Sequence, residues 1–167
     1  MLGTKRLGWI DMRKLALGTG ICVFAACAQA QLQIPNPPSH NTFAVGLHLT
    51  SVHDIAGYEN NNVGAYVKYR NWSVGAFRNS VRKQSVYAAY TYELMTPRMP
   101  VVDSVALTLG LTSGYPKKIE GTDVSVLFVP TMGVKLRPDF WLRVAVIPAF
   151  EQFNRSTAVH FMVEKEF

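Results

Sequence analysis

Apolar and polar residues alternate with a period of two along most of the chain after residue 41. This alternation is typical of β-strands with one apolar and one polar face, and no helical period is found there. The clearest example is Trp72–Leu94, WSVGAFRNSVRKQSVYAAYTYEL, in which two alternating runs flank a polar tip and predict an antiparallel hairpin. The pattern predicts eight strands: Thr42–Val52, Val63–Arg70, Trp72–Arg78, Ser85–Leu94, Ser104–Ser113, Ser125–Leu136, Phe140–Phe150 and Thr157–Phe167.

An even number of strands with alternately short and long connections predicts an all-β, eight-stranded antiparallel up-and-down β-barrel. Its two faces differ in polarity. The apolar face carries Phe43, Val45, Leu47, Leu49, Val105, Leu107, Leu109, Leu111, Leu142, Val144, Val146, Val159, Phe161 and Val163. The other carries Gly46, His48, Thr50, Ser104, Thr108, Gly110, Thr112, Arg143, His160, Glu164 and Glu166. Because charges and glycines share the second face, we predict that it lines the bore of a transmembrane barrel. A soluble barrel or sandwich with its apolar face inward is the alternative.

Aromatic residues support the membrane interpretation. They fall on the apolar face near the short connections, as an interfacial aromatic girdle requires. These residues are Tyr69, Trp72, Tyr90, Tyr92, Phe140 and Phe167. The terminal Phe167 also resembles the closing strand that outer-membrane proteins present for assembly, so we expect the barrel assembly machinery to be a partner.

The first 30 residues have the features of a secretory signal peptide. Basic residues precede an apolar run at Leu15–Ala26, and the small residues Ala28 and Ala30 mark a cleavage position. The run is shorter than the roughly 20 residues that a membrane-spanning helix needs. We therefore predict a signal peptide at 1–30, an extended proline-containing arm at 31–41 and a β-barrel domain at 42–167, located in the outer membrane. Lipoprotein processing at Cys27 is a weaker alternative.

Composition narrows the function classes. Both cysteines, Cys22 and Cys27, belong to the predicted signal peptide, so thiol and disulfide chemistry are not expected after export. The remaining 137 residues carry 13 basic and 10 acidic side chains, too weak a positive charge for a nucleic-acid partner. No motif has metal-ligand spacing, and no nucleotide fingerprint is present. We therefore expect a monomer with no metal and no cofactor.

Two prolines interrupt the predicted strands, Pro130 in VLFVPTMGV and Pro148 in RVAVIPAF. Proline has no N–H to donate, so within a sheet it is found at edges and bulges. Both prolines are expected at similar heights on neighbouring strands, where a weakened wall could open sideways to lipid. The alternative is that each proline only ends its strand.

Four short segments between Tyr58 and Phe167 have a recognisable pattern together with the proline pair: YENNNVGAYV, GAFRNS, LTLGLTSG and STAVHFMVEKEF. They resemble the lipid A palmitoyltransferase family (PagP), eight-stranded outer-membrane barrels that move an acyl chain from a phospholipid to lipid A. The resemblance implies an acyltransferase with lipid A and phospholipid as partners, and a lateral gate at Pro130 and Pro148.

The resemblance also implies a catalytic site. The family requires a histidine in the first strand and an aspartate and a serine at the tip of the third and fourth strands. Here His48 matches the histidine, with His53 as second choice; Ser80 matches the serine, and Asn79 stands where the family has aspartate. His48 would act as base, with Ser80 and Asn79 polarising or positioning. The basic residues of the tip and the next loop could contact lipid A phosphates: Arg82, Lys83, Lys117 and Lys118.

Two other functions stay open. A lipid A deacylase or acyl hydrolase would use a histidine and a serine in the barrel wall, and HLTS at His48–Ser51 is a loose approximation of such a pair. A non-enzymatic barrel that modifies the surface, binds a ligand or blocks a receptor is favoured by Asn79, because an amide cannot stabilise an imidazolium as a carboxylate does. The charged bore residues Glu93, Arg143, His160, Glu164 and Glu166 are expected to pair and fill a narrow lumen.

Overall fold

The computed structural model describes residues 43–95, 101–115, 119, 121–149 and 156–167, so the predicted signal peptide and arm lie outside the described part. Its elements are all strands, and no helix among these residues is long and apolar enough to cross a membrane. The strands are β1 Phe43–His53, β2 Asn61–Tyr69, β3 Trp72–Arg78, β4 Gln84–Met95, β5 Ser104–Ser113, β6 Val124–Arg137, β7 Phe140–Ile147 and β8 Ala158–Glu166.

The strands form a closed barrel in chain order, with every neighbouring pair antiparallel. The barrel closes where β8 pairs with β1, from Ala44↔Glu166 to His53↔Ala158. The prediction of an eight-stranded antiparallel barrel is therefore confirmed. Two strands, β3 and β5, have the predicted bounds, and the others differ by one to three residues at their ends.

The two faces of the barrel are polarised as the sequence predicts. Large apolar side chains stand on the outside, including Leu47 at 48% exposure and Trp72 at 62%. The side chains of Leu107, Val144 and Phe161 are half-buried on the wall and do not form a central core. Buried side chains of the bore are, with Val129 as an apolar exception, mostly small or polar: Ala44, His48, Ser51, Tyr66, Ser73, Ala89, Ser104, Ala106, Thr112, Ser125, Arg143, Ala145, Ala158, His160 and Glu164. The apolar face thus points outward, although Val105, which was predicted on that face, is buried at 4% exposure.

The barrel has two rims that differ in their connections. The turn rim carries the short turns at 70–71 and 138–139, together with Phe43 and Phe167, whose rings lie 6.1 Å apart. The loop rim carries the connections β1–β2 (54–60), β3–β4 (79–83), β5–β6 (114–123) and β7–β8 (148–157). Tyr69 and Trp72, which flank the 70–71 turn, are exposed, so part of the predicted aromatic ring lies at this rim.

A β-bulge in β1 changes which residues face the bore. Pairing with both neighbouring strands shifts between His48 and Thr50: Leu49 is an extra residue relative to β8, whereas β2 has two residues, Asn62 and Val63, between the corresponding partners Gly64 and Asn61. Before the bulge the buried positions are even-numbered, and after it Ser51 is buried while Thr50 is exposed. The expectation that Thr50 faces the bore was therefore wrong, because one inserted residue exchanges the two faces of the strand.

The wall has a break between β6 and β7. Their pairing runs from Arg137↔Phe140 to Thr131↔Ala145, and among the described residues it extends no further toward the loop rim. Residues 124–130 of β6 pair with β5 alone, although β7 continues to Ile147 and pairs with β8 to its end. Pro130 is the residue at which the β6–β7 ladder stops. Because proline has no N–H, it cannot donate the next ladder bond.

A buried ion pair fills the bore on the turn-rim side. Arg143 Nη2 donates to Glu164 Oε1 at 2.8 Å, Tyr66 donates its hydroxyl to Glu164 Oε2 at 3.0 Å, and Lys68 Nζ lies 3.7 Å from Oε1. Gly46 makes room for this cluster, since a Cβ there would lie inside the Tyr66 ring. The predicted pairing of bore charges is confirmed for Arg143 and Glu164.

Candidate functional site

A cavity of about 410 Å³ lies within the barrel. It reaches from Lys68 and Glu164 of the ion-pair cluster toward the loop rim, where Ser80 and Tyr115 line it. Much of the wall between is aliphatic or aromatic, from Phe77, Ala106, Leu127, Val129, Ile147, Ala158 and Met162. The bore therefore contains a space with polar ends and a largely apolar middle.

Four side chains on the cavity wall form one continuous chain of hydrogen bonds. Ser51 Oγ lies 2.8 Å from His160 Nδ1, His160 Nε2 lies 2.8 Å from His48 Nδ1, and His48 Nε2 lies 3.1 Å from the Tyr87 hydroxyl. Ser51, His48 and His160 are buried, and all four residues line the cavity. We call Ser51, His160, His48 and Tyr87 the relay.

Strand register and the bulge assemble the relay. Ser51 and His160 are directly paired residues of β1 and β8, so their side chains leave the seam side by side. Ser51 faces the bore only because the bulge at Leu49 exchanges the faces of β1 after His48. The His48 ring also packs on the rings of Phe77 and Tyr66, with centroids 5.0 and 5.2 Å away. These contacts hold the imidazole in one place.

The hydrogen bonds of the relay can run in either of two directions, depending on which nitrogen of each histidine carries the hydrogen. Each imidazole nitrogen within it must either donate or accept, so two facing nitrogens require one bare nitrogen and one N–H. In one direction Ser51 donates to His160 Nδ1, His160 Nε2–H donates to His48 Nδ1, and His48 Nε2–H donates to Tyr87. In that arrangement a basic nitrogen stands against a serine hydroxyl, which is the pairing that activates serine as a nucleophile.

Ser80 lies on the same cavity as His48, at the loop rim. Its side chain forms a hydrogen bond with Tyr115, whereas the bonds of His48 go to His160 and Tyr87. Burial raises the pKa of Tyr115 to about 12, and the hydrogen bond from Ser80 opposes that shift. Tyr115 is therefore a neutral hydroxyl at physiological pH. The predicted catalytic residues His48 and Ser80 share a cavity and have separate hydrogen-bond partners.

Asn79 is fully buried, and its side chain stabilises the β3–β4 tip. Its Oδ1 accepts from the backbone N–H groups of Val81 and Lys83, and its Nδ2 donates to Ser85 Oγ and to the Gly114 carbonyl. These four bonds use both donor hydrogens and both acceptor positions of the amide. The contacts give Asn79 a structural role, and its predicted catalytic role gains no support from them.

The second-choice histidine and the basic residues lie at the loop rim. The His53 ring stacks on Tyr58 at 5.1 Å, and its Nδ1 lies 2.8 Å from Asn60 Oδ1. Arg82 is exposed, with Nε 3.8 Å from Glu59 Oε2. Lys83, also predicted to contact phosphate, is exposed, and Lys117 and Lys118 lie outside the described residues. The tip thus presents positive charge that a carboxylate partly neutralises.

Glu59 is fixed at this rim mainly by a backbone contact. Its Oε1 accepts from the Asn61 backbone N–H at 3.0 Å, and Arg78 and Arg82 lie near its Oε2. The Asn61 hydrogen bond, together with the two guanidinium groups, lowers the pKa of Glu59. The carboxylate therefore stays charged well into the acid range.

The predicted gate residues lie beside the break in the wall. Pro130 ends the β6–β7 ladder, and Pro148 follows the last residue of β7 and lines the cavity. The cavity is lined by both faces of β6 near this break. Val126 and Phe128 are on the outer face and Leu127 and Val129 on the inner, and all of them contact the same cavity. Cavity-lining residues from both faces of β6 therefore lie beside the break in the β6–β7 ladder.

The side-chain oxygen of Asn62 is a buried acceptor on the cavity wall. Asn62 is 2% exposed and lines the cavity, its Nδ2 donates to the Arg78 carbonyl, and its Oδ1 has no hydrogen-bond partner among the residues that the structure describes. A buried acceptor without a donor is costly, by about 1–3 kcal/mol. Asn62 Oδ1 is therefore available to a hydroxyl that enters the cavity.

Sequence reasoning found His48 but missed most of its partners. Ser51 entered only as part of the loose histidine–serine pair of the hydrolase alternative, because regular alternation puts it on the outer face, and His160 was assigned to the charge cluster with Arg143 and Glu164. The structure separates His160 from that cluster and joins it to His48. A signal was present: the apolar positions Leu47, Leu49 and Val52 break the period of two, as a bulge requires.

No group of three or more His, Cys, Asp or Glu side chains within the described ranges is placed to hold a metal ion. Comparison with known proteins assigns no family: no protein-family model matches the sequence, and no curated protein matches it. The barrel, its cavity and the relay are therefore the features that bear on function.

Proposed function

We propose that the chain is an outer-membrane barrel that transfers an acyl chain from a phospholipid to lipid A. The signal peptide at 1–30 would direct export, and the barrel would then insert with the loop rim outside and the turn rim in the periplasm. The exposed apolar side chains of the wall support insertion, because a water-soluble barrel would leave this surface in contact with water. Exposed aromatic residues beside the 70–71 turn suit a membrane interface.

The break in the β6–β7 ladder beside the cavity is the observation that carries the proposal. A phospholipid in the surrounding leaflet lies beside the wall and cannot reach a bore that is closed on all sides. The gap beyond Thr131 and Ala145 gives an acyl chain a way through the wall, and Leu127, Val129 and Ile147 offer it apolar surface. Pro130 keeps this gap from closing by ladder pairing.

The polar residues of the cavity suit the ester end of such a lipid. Acyl transfer requires a base for the hydroxyl of the acceptor and a space that excludes water. His48 and His160 supply imidazole nitrogens on the cavity wall, and Asn62 Oδ1 can accept a hydrogen bond from an incoming hydroxyl. Lipid A is rich in hydroxyl groups and phosphates, and Arg82 and Lys83 at the loop rim carry the charge to hold its phosphates.

A second candidate, an acyl hydrolase, is favoured by one specific contact. Ser51 Oγ lies 2.8 Å from His160 Nδ1, which is the serine–histidine contact that hydrolases use. The HLTS segment therefore contributes both its histidine and its serine to one relay. Water as the acceptor in place of a lipid A hydroxyl would make the same site a hydrolase.

Mass spectrometry of lipid A and phospholipids from a host that expresses the full chain tests the proposal. An added acyl chain on lipid A, with matching lysophospholipid, is the expected result. Loss of an acyl chain from lipid A, or release of lysophospholipid together with free fatty acid, would indicate a hydrolase instead of a transferase. An unchanged lipid profile, with the barrel present in the outer membrane, would refute both enzymatic functions.

A further inference from the structure

We propose that Ser51 is a nucleophile that carries the acyl group as a covalent ester during the reaction. This inference rests on the proposed function, because it names the group that holds the acyl chain between donor and acceptor. It differs from the assignment of Ser80 at the β3–β4 tip, where the serine side chain contacts Tyr115.

The position of Ser51 meets the requirements for a nucleophile. Its hydroxyl is on the cavity wall, 2.8 Å from His160 Nδ1, and its backbone N–H is bonded to the Asn60 carbonyl. His160 is in turn oriented by His48 at 2.8 Å, so serine, base and orienting group follow one another along the relay. The bulge that turns Ser51 inward is a device often found beside active sites.

The first step is attack of Ser51 on a phospholipid ester. The Oγ–carbon bond forms, the bond from the carbonyl carbon to the glycerol oxygen breaks, and the Oγ proton moves to His160 Nδ1. His160 then gives that proton to the glycerol oxygen, which leaves as lysophospholipid. His48 Nδ1 accepts a hydrogen bond from the His160 imidazolium and holds its orientation, so His48 is a positioning residue.

The second step regenerates the free hydroxyl of Ser51. A hydroxyl of the acceptor attacks the carbonyl carbon of acyl-Ser51, and its proton moves to His160 Nδ1. The bond from the carbonyl carbon to Oγ breaks, and His160 returns the proton to Ser51. Both steps balance in protons and electrons as written, with only the two lipids and the side chains of this protein taking part.

A long-chain alkyl fluorophosphonate tests the nucleophile directly. Ser51 Oγ would attack phosphorus, the phosphorus–fluorine bond would break, and the protein would gain one phosphonyl group. The full chain, purified from host membranes in detergent, is treated with the probe, and the intact mass and the modified peptide are read by mass spectrometry. We expect one adduct at Ser51, none in Ser51→Ala, and labelling slowed at least about 100-fold in His160→Gln.

Ser73→Ala is the matched control. Ser73 is another buried serine of the bore, and its hydroxyl donates to the Ala89 carbonyl at 3.4 Å rather than to a histidine. It should label at the wild-type rate. Circular dichroism of each variant establishes that the barrel has folded, and the site of the adduct on the wild type is informative even if Ser51→Ala does not fold.

The results separate this inference from the proposed function. An adduct at Ser51 with no acyl transfer to lipid A would support Ser51 as the nucleophile and would refute lipid A as the acceptor. Acyl transfer that persists in folded Ser51→Ala would refute the nucleophile and leave the transferase standing. An adduct at Ser80, or no adduct on folded wild type, would also overturn the inference.

Discussion

His160 Nε2 lies 2.8 Å from His48 Nδ1, and this contact joins the last strand of the barrel to the first. The two imidazoles face each other inside the seam where β8 pairs with β1. One of the facing nitrogens must carry a hydrogen and the other must be bare. The contact that helps to close the barrel is thus also the one through which a proton can move between the histidines.

Loss of His48 should abolish most of the acyl transfer. His48→Leu removes the partner that orients His160, and general base catalysis typically contributes about 10²–10⁴-fold. We expect a fall of at least about 100-fold in the rate of lysophospholipid release, measured by mass spectrometry with phospholipid vesicles. His53→Leu is the matched control, since His53 lies outside the relay and should retain activity. Activity that is kept in His48→Leu and lost in His53→Leu would make His53 the functional histidine.

Asn79→Asp should destabilise the barrel and should not increase activity. The carboxylate would replace an N–H donor with an acceptor that faces the Gly114 carbonyl, now 2.9 Å from Nδ2. A buried acceptor without a donor costs about 1–3 kcal/mol in the free energy of unfolding, measured by denaturant titration. Asn71→Asp is the control, because the Tyr90 hydroxyl that accepts from Asn71 can rotate and donate instead. A more active Asn79→Asp variant would restore the catalytic assignment of this position.

Glu164→Gln should cost about 3–5 kcal/mol in the free energy of unfolding, because it leaves the Arg143 charge buried without its partner. The exposed pair Lys165–Asp139, at 3.8 Å, is the control. Asp139→Asn should cost no more than about 1 kcal/mol, since solvent screens that pair. Equal losses in the two variants, compared by denaturant titration, would contradict the inferred difference between bore and surface.

A cross-link over the β6–β7 gap should stop phospholipid from reaching the bore. Val129→Cys with Ile147→Cys places one thiol on each side of the break, and a short bismaleimide would bridge them. Acyl transfer should fall after cross-linking. Met132→Cys with Val144→Cys is the control, because that pair already lies within the ladder. Undiminished transfer across a closed gap would mean that lipid enters elsewhere.

Glu59 should contribute to stability only when it is ionised. Its pKa is lowered in the folded state, so its contribution is complete above the unfolded-state pKa of about 4.3 and is lost as the pH falls through the folded-state pKa. The thermal unfolding midpoint of the wild type should exceed that of Glu59→Gln at neutral pH. The two midpoints should converge in acid. A constant difference at every pH would exclude ionisation as its source.

The sequence predicted most of the fold because strand patterning is a local property. A period of two identifies each strand, and the separation of apolar from charged positions gives the outward and inward faces. The bounds of Trp72–Arg78 and Ser104–Ser113 were therefore found without error. Closure followed from an even number of strands with short connections.

The site was harder to predict because it depends on register and on single insertions. His48 could be chosen from its parity, but its contact with His160 depends on how β8 aligns with β1. Asn79 was interpreted as a changed catalytic aspartate, and only its four hydrogen bonds reveal how the tip uses an amide. Contacts between residues more than 100 positions apart, such as Ser51 and His160, leave little trace in local patterning.

The bulge at Leu49 gives the chemistry of this barrel an unusual dependence on chain length. In a regular strand of the same residues, Ser51 would face the surrounding medium and Val52 the lumen, so the bulge is what brings the hydroxyl to the bore. Deleting Leu49 would instead leave Ser51 two positions after His48, on the same face and without a bulge. An even number of residues between the histidine and the serine of the first strand, as here, therefore requires a bulge for both to face the lumen, and an odd number does not.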